Sequence, residues 1–292
     1  MVDKKKVAFL GLGVMGFPMA GHLANNGYDV AVYNRTIAKS EAWVSKYGGS
    51  FALTAREAAG GRDVVFTCVG NDDDVRAVVN TDDGAFNGMK EGAVLVDHTT
   101  ASANLAIELS KVAQNKGMGF LDAPVSGGQA GAENGALAVM CGGQEEHFEA
   151  VKPIMSPYSK AVTLMGKAGA GQLTKMVNQI CIAGVLQGLS EGMNFALKAG
   201  LDPNVVVEVI SKGAAGSWQM ENRAKTMVED KFDFGFAVNW MRKDLKIVLE
   251  EAQRNKARLP ATALIDQFYA QIQDRGGTRW DTSSLIHLLT NE

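Results

Sequence analysis

The sequence predicts an α/β protein, with a doubly wound sheet over residues 1–163 and an all-α domain over residues 164–292, joined by a long helix starting near residue 171. Three observations predict this. Short apolar runs alternate with helix-period patterns through the first half. The first run passes directly into a glycine-rich turn and then a helical pattern. Past about residue 164 strand signals stop and only helix-period patterns remain.

At 292 residues the chain favours two domains over one ordinary core. Hydrophobic residues at 46%, charged residues at 21% and a net charge of -3 describe a globular chain with no overall attraction to nucleic acid or an anionic membrane. Lys4-Lys5-Lys6 reads as a solvated lead-in to a strand. Cys68, Cys141 and Cys181 are odd in number, widely spaced and set in apolar surroundings, which argues for a reducing cytoplasm and against a disulfide framework or a Cys-ligated metal. No leader pattern opens the chain, and the most apolar later stretch, Ile180 to Leu189, is interrupted by Gln187 and too short to span a bilayer. A soluble cytoplasmic protein is expected.

Taken in order, Lys6 to Leu10 is a buried strand, and Met19, Ala20, Leu23 and Ala24 mark the helix after Gly11-Leu12-Gly13-Val14-Met15-Gly16. A second strand runs from Asp29 to Tyr33. This is GxGxxG in the strand–turn–helix–strand setting of a Rossmann-like dinucleotide site. Gly11 permits the turn, Gly13 lets backbone approach a pyrophosphate, and Gly16 permits close helix packing at an N-terminus rich in N–H donors. The second strand ends in Asn34-Arg35-Thr36, with no carboxylate for a ribose 2′-hydroxyl. Arg35 can pair with a 2′-phosphate, so NADP is favoured, with NAD possible.

Further strands lie at Asp63 to Val69 and Ala93 to Asp97. Val69, Gly70 and Asn71 then fall at a carboxyl end, where parallel sheets place ligands. Asn71-Asp72-Asp73-Asp74 reads as helix capping and not as a metal site, because consecutive Asp side chains point in different directions. Thr99 and Thr100 either bond the nicotinamide ribose or start the next helix. Gly119 to Leu121 leads into Asp122-Ala123-Pro124-Val125-Ser126-Gly127-Gly128, a tight loop whose exposed N–H groups and Ser126 hydroxyl can hold a carboxylate. Strands at Leu137 to Cys141 and Ala161 to Leu164 enclose a helix from Glu145 to about Pro157.

The long helix opens with Gly169-Ala170-Gly171-Gln172-Leu173-Thr174-Lys175-Met176-Val177-Asn178. Lys175 and Asn178, at i and i+3, share one face near its N-terminus, where the macrodipole disfavours a cation. Either Lys175 reaches solvent or it has a chemical task. Gly184, Gly188 and Gly192 recur at i, i+4 and i+8, a face bare enough for another helix to approach within the subunit or across a dimer. Later helices are expected at Pro203 to Ser211, Ser217 to Val228, Ala237 to Asn255 and Pro260 to Gln273. Lys243 lies on the third of these, where a lysine is ordinarily a surface residue.

Over essentially the whole length, these motifs resemble in order those of the β-hydroxyacid dehydrogenase family, which includes 3-hydroxyisobutyrate dehydrogenase, tartronate semialdehyde reductase and glyoxylate or succinic semialdehyde reductases. Lys243-Asp244-Leu245 supplies the last of four. The resemblance implies that Lys175 is the catalytic acid/base and Asn178 helps hold the substrate. It also implies that Ser126, Gly127 and Gly128 bind the substrate carboxylate, Thr100 contacts the cofactor, and Lys243 adjoins cofactor and substrate. Two positions depart from the pattern: Asn178-Gln179 replaces paired asparagines, and Thr99 replaces a common serine. Trp218, in a stretch where members differ in substrate, either walls the pocket or packs in a core.

The expected chemistry is hydride transfer between nicotinamide and a short carboxylate-bearing aldehyde, with Lys175 exchanging the proton without metal. Burial in a cleft between the domains and the helix N-terminus would both favour the uncharged amine. The four histidines lie outside the four motifs. Alternatives are an NAD-linked dehydrogenase of 3-hydroxyisobutyrate or serine, an imine reductase, and a non-catalytic NADP-binding module; a homodimer or homotetramer is expected.

Overall fold

The computed structural model describes residues 5–291, in two compact units that divide after Lys175. In the first unit, strands β1 (Lys6–Leu10), β2 (Asp29–Tyr33), β3 (Ser50–Phe51), β4 (Val64–Thr67), β5 (Val94–Asp97), β6 (Gly119–Asp122), β7 (Val125–Ser126), β8 (Leu137–Gly143) and β9 (Ser159–Gly166) form one sheet. Its order is β3-β2-β1-β4-β5-β6-β8-β7, with β9 also paired to β8. From β3 to β6 all neighbours are parallel; β8 runs antiparallel to β6 and β7, and β9 parallel to β8. Helices α1 (Gly16–Asn25), α2 (Ile37–Tyr47), α3 (Ala55–Ala59), α4 (Asp72–Val79), α5 (Ala103–Asn115), α6 (Gly128–Glu133) and α7 (Glu145–Met155) connect the strands.

Strand alternation explains why helices cover both faces. Val7, Phe9, Val64, Phe66, Val94 and Val96 pack on one side against Met19 and Leu23 of α1 and Phe148 and Val151 of α7. Ala8, Leu10, Val65 and Leu95 pack on the other against α3, α4 and α5, through Ala58, Val79, Leu105 and Leu109 among others. With both sides buried, these strands read as continuous apolar runs. Each fully buried Val, Leu or Phe contributes about 1.5–3 kcal/mol.

Helix α8 (Ala170–Lys198) begins in the first unit and runs through the second, which adds α9 (Pro203–Ile210), α10 (Trp218–Val228), α11 (Val238–Asn255), α12 (Pro260–Asp274) and α13 (His287–Thr290). Among its described residues the only strand-like feature is the bridge Ala237–Asp281. Two clusters make its core. Ala183 and Leu186 pack with Met241, Leu245, Ile265 and Tyr269, while Leu189 and Met193 pack with Met220, Ala224 and Met227.

Several expectations are corrected. Strand β9 continues to Gly166, with Leu164 and Gly166 paired to Cys141 and Gly142 of β8, so residue 163 lies inside the strand. Cys181 is exposed, not in apolar surroundings. Helix α8 has 29 residues, about 43 Å at 1.5 Å per residue, and by length and composition alone it could cross a membrane, contrary to the reading of Ile180 to Leu189 as too short. Of the two alternatives for Gly184, Gly188 and Gly192 the one within the subunit is removed, since nothing lies within 4 Å of a Cβ built on any of them. The missed elements are short: β3 and β7 have two residues each and α6 has six, too few for a period to register.

Candidate active site

The carboxyl ends of β1, β2, β4, β5 and β6 lie along one sheet edge, and the loops leaving them carry the expected residues. After β1, Gly11 has φ 101°, and a side chain there would strike the Cys68 carbonyl. A Cβ on Gly16 would strike the Gly11 carbonyl, whereas one on Gly13 would meet nothing within 4 Å, so the cradle is tight behind and open in front. The Leu12 N–H donates to Asn34 Oδ1 at 2.9 Å, which ties this loop to the one after β2. Met15, the α1 N-cap, supplies no side-chain acceptor to the first turn, and Val14 is exposed. These features fit a pyrophosphate at the α1 N-terminus.

Arg35 follows, with its side chain 89% exposed and Nη1 3.6 Å from Asp74 Oδ1. So exposed a pair holds the guanidinium only loosely. Thr36 is the α2 N-cap and Asn71 the α4 N-cap, whose side chain accepts from the Asp74 N–H at 2.9 Å, so Asn71 caps the helix and the three aspartates form its first turn. The Val69 N–H donates to Thr99 Oγ1 at 3.0 Å, and Gly70 is half-buried between Val69 and Asn71.

Beneath this edge lies a buried polar layer. Asp97, at the end of β5, accepts from Thr67 Oγ1 at 2.7 Å and the Thr99 N–H at 3.0 Å. Burial pushes its carboxyl up to about 6, against those hydrogen bonds. His98 meets the Ala123 carbonyl at 2.7 Å and the Tyr158 hydroxyl at 3.0 Å, and stacks on Phe66; burial lowers its pKa to about 4, so it is neutral structural core. Asp122, at the end of β6, accepts from the Gly169 N–H at 2.7 Å and the Gln172 N–H at 2.9 Å, and is pushed by burial up to about 6. It thereby caps α8 from 47 residues away.

Gln172 completes the fastening. Its Nε2 donates to the Thr99 carbonyl at 2.7 Å and its Oε1 accepts from the Ala101 N–H at 3.0 Å, enclosing Thr100. Both contacts lie along the edge that carries the dinucleotide cradle. Lys175, one turn further along α8, is only 8% exposed. Asp122 and Gln172 are functional residues that the sequence alone does not mark; the one local signal is a glutamine on a helical face three residues before the lysine. Along the same edge β7 ends at half-buried Ser126, Gly127 (φ 133°) caps α6 and Gly128 (φ 61°) opens it, both in conformations that favour glycine.

In the second unit, Asn178 Nδ2 donates to Gln179 Oε1 at 2.8 Å, Gln179 Nε2 to Asp244 Oδ2 at 2.6 Å, and Lys243 Nζ lies 2.8 Å from Asp244 Oδ1. Lys243 is therefore not the ordinary surface lysine its spacing indicated; its side chain is 20% exposed. Trp218 opens α10 behind its N-cap Ser217 and is 53% exposed, which removes the core reading. The Arg223 guanidinium lies 4.9 Å from both the Trp218 and Phe234 rings and 3.3 Å from Asp281.

Comparison with known proteins agrees in both halves. Residues 6–166 match the NAD binding domain of 6-phosphogluconate dehydrogenase, and residues 169–289 match the NAD-binding domain of NADP-dependent 3-hydroxyisobutyrate dehydrogenase. An uncharacterized oxidoreductase of Shewanella frigidimarina is 64% identical, covering 96% of this chain and 97% of its own. The 2-hydroxy-3-oxopropionate reductase of Escherichia coli is 34% identical, covering 97% of each. Among solved structures, 3-hydroxyisobutyrate dehydrogenase of Mycobacterium tuberculosis with L-serine superposes with a TM-score of 0.89 at 29% identity, over 98% of this chain and 99% of that one.

Proposed function

The chain belongs to the β-hydroxyacid dehydrogenase family and is an NAD(P)-dependent oxidoreductase, and from that premise we propose an NADP-dependent reductase of short carboxylate-bearing aldehydes with Lys175 as proton donor. The observation that carries this reading is the buried Lys175, set one turn after a helix start that Asp122 and Gln172 fasten to the ends of β5 and β6. When bound, the nicotinamide supplies the hydride. Lys175, as ammonium, stabilises the charge growing on the substrate oxygen and donates its proton there; in oxidation the amine takes the proton back. Ser126 Oγ and the Gly127 and Gly128 N–H groups hold the substrate carboxylate, and Asn178 holds the reacting end. Gly11, Leu12, Gly13, Val14, Met15 and Gly16 hold the pyrophosphate, Asn34, Arg35 and Thr36 the 2′-phosphate end, and Val69, Gly70, Asn71, Thr100 and Lys243 the remainder. Trp218 walls the substrate pocket.

The exposed face of α8 supports a second copy of the chain as partner in preference to a membrane. Exposed Val177 and Val185 lie on the same helix as the open positions Gly184, Gly188 and Gly192, a combination that can seat a side chain of one copy over a glycine of the other about a two-fold axis. Glu191, exposed on the same helix, argues against lipid around it.

The test is oxidation of NADPH and of NADH with glyoxylate, succinic semialdehyde, 2-hydroxy-3-oxopropionate and a cyclic imine, and the reverse reaction with L-serine and 3-hydroxyisobutyrate. The proposal requires at least one acid aldehyde to turn over with NADPH at least ~10-fold better than with NADH. Turnover of the imine alone, or of the hydroxyacids with NAD alone, would replace it.

A further inference from the structure

Gln179 stands where the family's usual pair of asparagines would put the second, and its added length is used. The side chain is buried, and its two ends do different work: Nε2 donates to Asp244 at 2.6 Å, Oε1 accepts from Asn178 at 2.8 Å. Which end goes where is dictated from Asp244. Its carboxylate, beside the Lys243 ammonium at 2.8 Å, offers only acceptors, so Gln179 must present its NH₂. The Gln179 carbonyl then faces Asn178, which must answer with its own NH₂, and the acceptor edge of Asn178 is thereby Oδ1.

We infer that Gln179 is a positioning residue, setting the amide orientation of Asn178 and coupling it through Asp244 to Lys243. The inference rests on the proposed function, in which Asn178 holds the substrate. An amide turned the wrong way presents Oδ1 in place of Nδ2 to an aldehyde oxygen and a carboxylate that can only accept, so substrate binding should suffer before cofactor binding does.

The experiment is steady-state kinetics with glyoxylate and succinic semialdehyde on the full-length protein, for Gln179→Leu, Asn178→Ala, the double variant, Gln179→Glu and Lys175→Ala. Gln179→Leu should raise the aldehyde KM at least ~10-fold and leave the NADPH KM within about twofold, and the double variant should be no worse than Asn178→Ala alone, because one interaction is lost in each. Gln179→Glu gives a readout that survives if the leucine variant fails to fold. Protonated, the glutamic acid reproduces the pattern, its carbonyl accepting from Asn178 and its hydroxyl donating to Asp244; ionised, it meets Asp244 with like charge. Its aldehyde KM should therefore lie near wild type at about pH 5.5 and rise at least ~10-fold by about pH 8, a limb absent from wild type. If Asn178→Ala raises the KM while both Gln179 variants leave it unchanged, or if the Asn178 and Gln179 effects multiply, the positioning role is overturned and the proposed function stands. If Asn178→Ala is silent while Lys175→Ala abolishes turnover, Asn178 does not hold substrate and the inference falls alone. Normal turnover by Lys175→Ala removes the proposed function and the inference together.

Discussion

The two ends of α8 invert the ordinary partition of residues in opposite senses. Its first turns carry Gln172, Lys175 and Gln179, all polar and all at most 8% exposed. Further along, Val185 is 40% and Phe195 71% exposed, on a stretch whose Gly184, Gly188 and Gly192 face open space. Single exposed apolar residues need no explanation, but a stripe of them does, and so does a buried lysine. On the proposed reading the first end is polar for chemistry and hydrogen bonding, and the second is apolar for a second copy of the chain to cover.

The comparison breaks most sharply at Asp122. Asp122→Ala orphans two buried N–H groups at the start of α8, at about 1–3 kcal/mol each, and should lower the melting temperature more than any exposed substitution on the same helix. Turnover should fall too, since a helix start displaced by about 1 Å can cost ~100-fold. A folded, fully active Asp122→Ala protein would mean the clamp does not position Lys175.

At the other end the expected loss is one of association. Gly188→Glu places like charges opposite each other across a two-fold contact, a cost of several kcal/mol, so light scattering should report half the wild-type mass with thermal stability little changed. Unaltered mass would show that this face is not the interface.

Arg35 sharpens the contrast from a third side, as a polar residue that is exposed and nevertheless assigned a ligand. Arg35→Ala should raise the NADPH KM by roughly 10- to 100-fold, the loss of about 1.5–3 kcal/mol from a charge-assisted bond, and leave the NADH KM within about twofold. Equal losses with both cofactors would assign Arg35 to folding or to the adenine.

The smallest effect is a pH dependence from the layer beneath the site. Burial raises the Asp97 pKa to about 6, so the folded state binds its proton more tightly than the unfolded chain does. Its stabilising contribution is complete below about pH 4 and is lost as pH rises toward 6. Asp97→Asn, always uncharged, lacks that slope. The wild-type melting temperature should therefore rise relative to Asp97→Asn as pH falls from about 6 to 4, and a constant difference would contradict the assignment. His98, lowered to about 4 by burial, acts oppositely in both proteins and cancels in the comparison.

What could be read from the sequence follows the same division. The strands of the central sheet are legible because burial on both faces makes them continuous apolar runs, and the GxGxxG turn because its glycines are forced by close backbone contacts. Lys175 and Ser126–Gly128 stand in local motifs, and their proposed roles await the tests above. The Asp122 cap, the Gln172 clamp and the Gln179–Asp244 pair are not legible, since each joins residues 47 to 73 positions apart and leaves no local period. The glycine stripe was visible, but whether it met a neighbour in the same chain depends on packing that a period does not encode.

The most direct measurement of the central claim is single-turnover reduction of an acid aldehyde by Lys175→Ala, with NADPH binding followed by fluorescence and folding by thermal melt. If Lys175 donates the proton, turnover should fall by ~10²–10⁴-fold while NADPH affinity stays within about threefold and the melting temperature does not fall. Retained turnover, or a loss that merely accompanies unfolding, would make the buried lysine a structural residue and contradict the account.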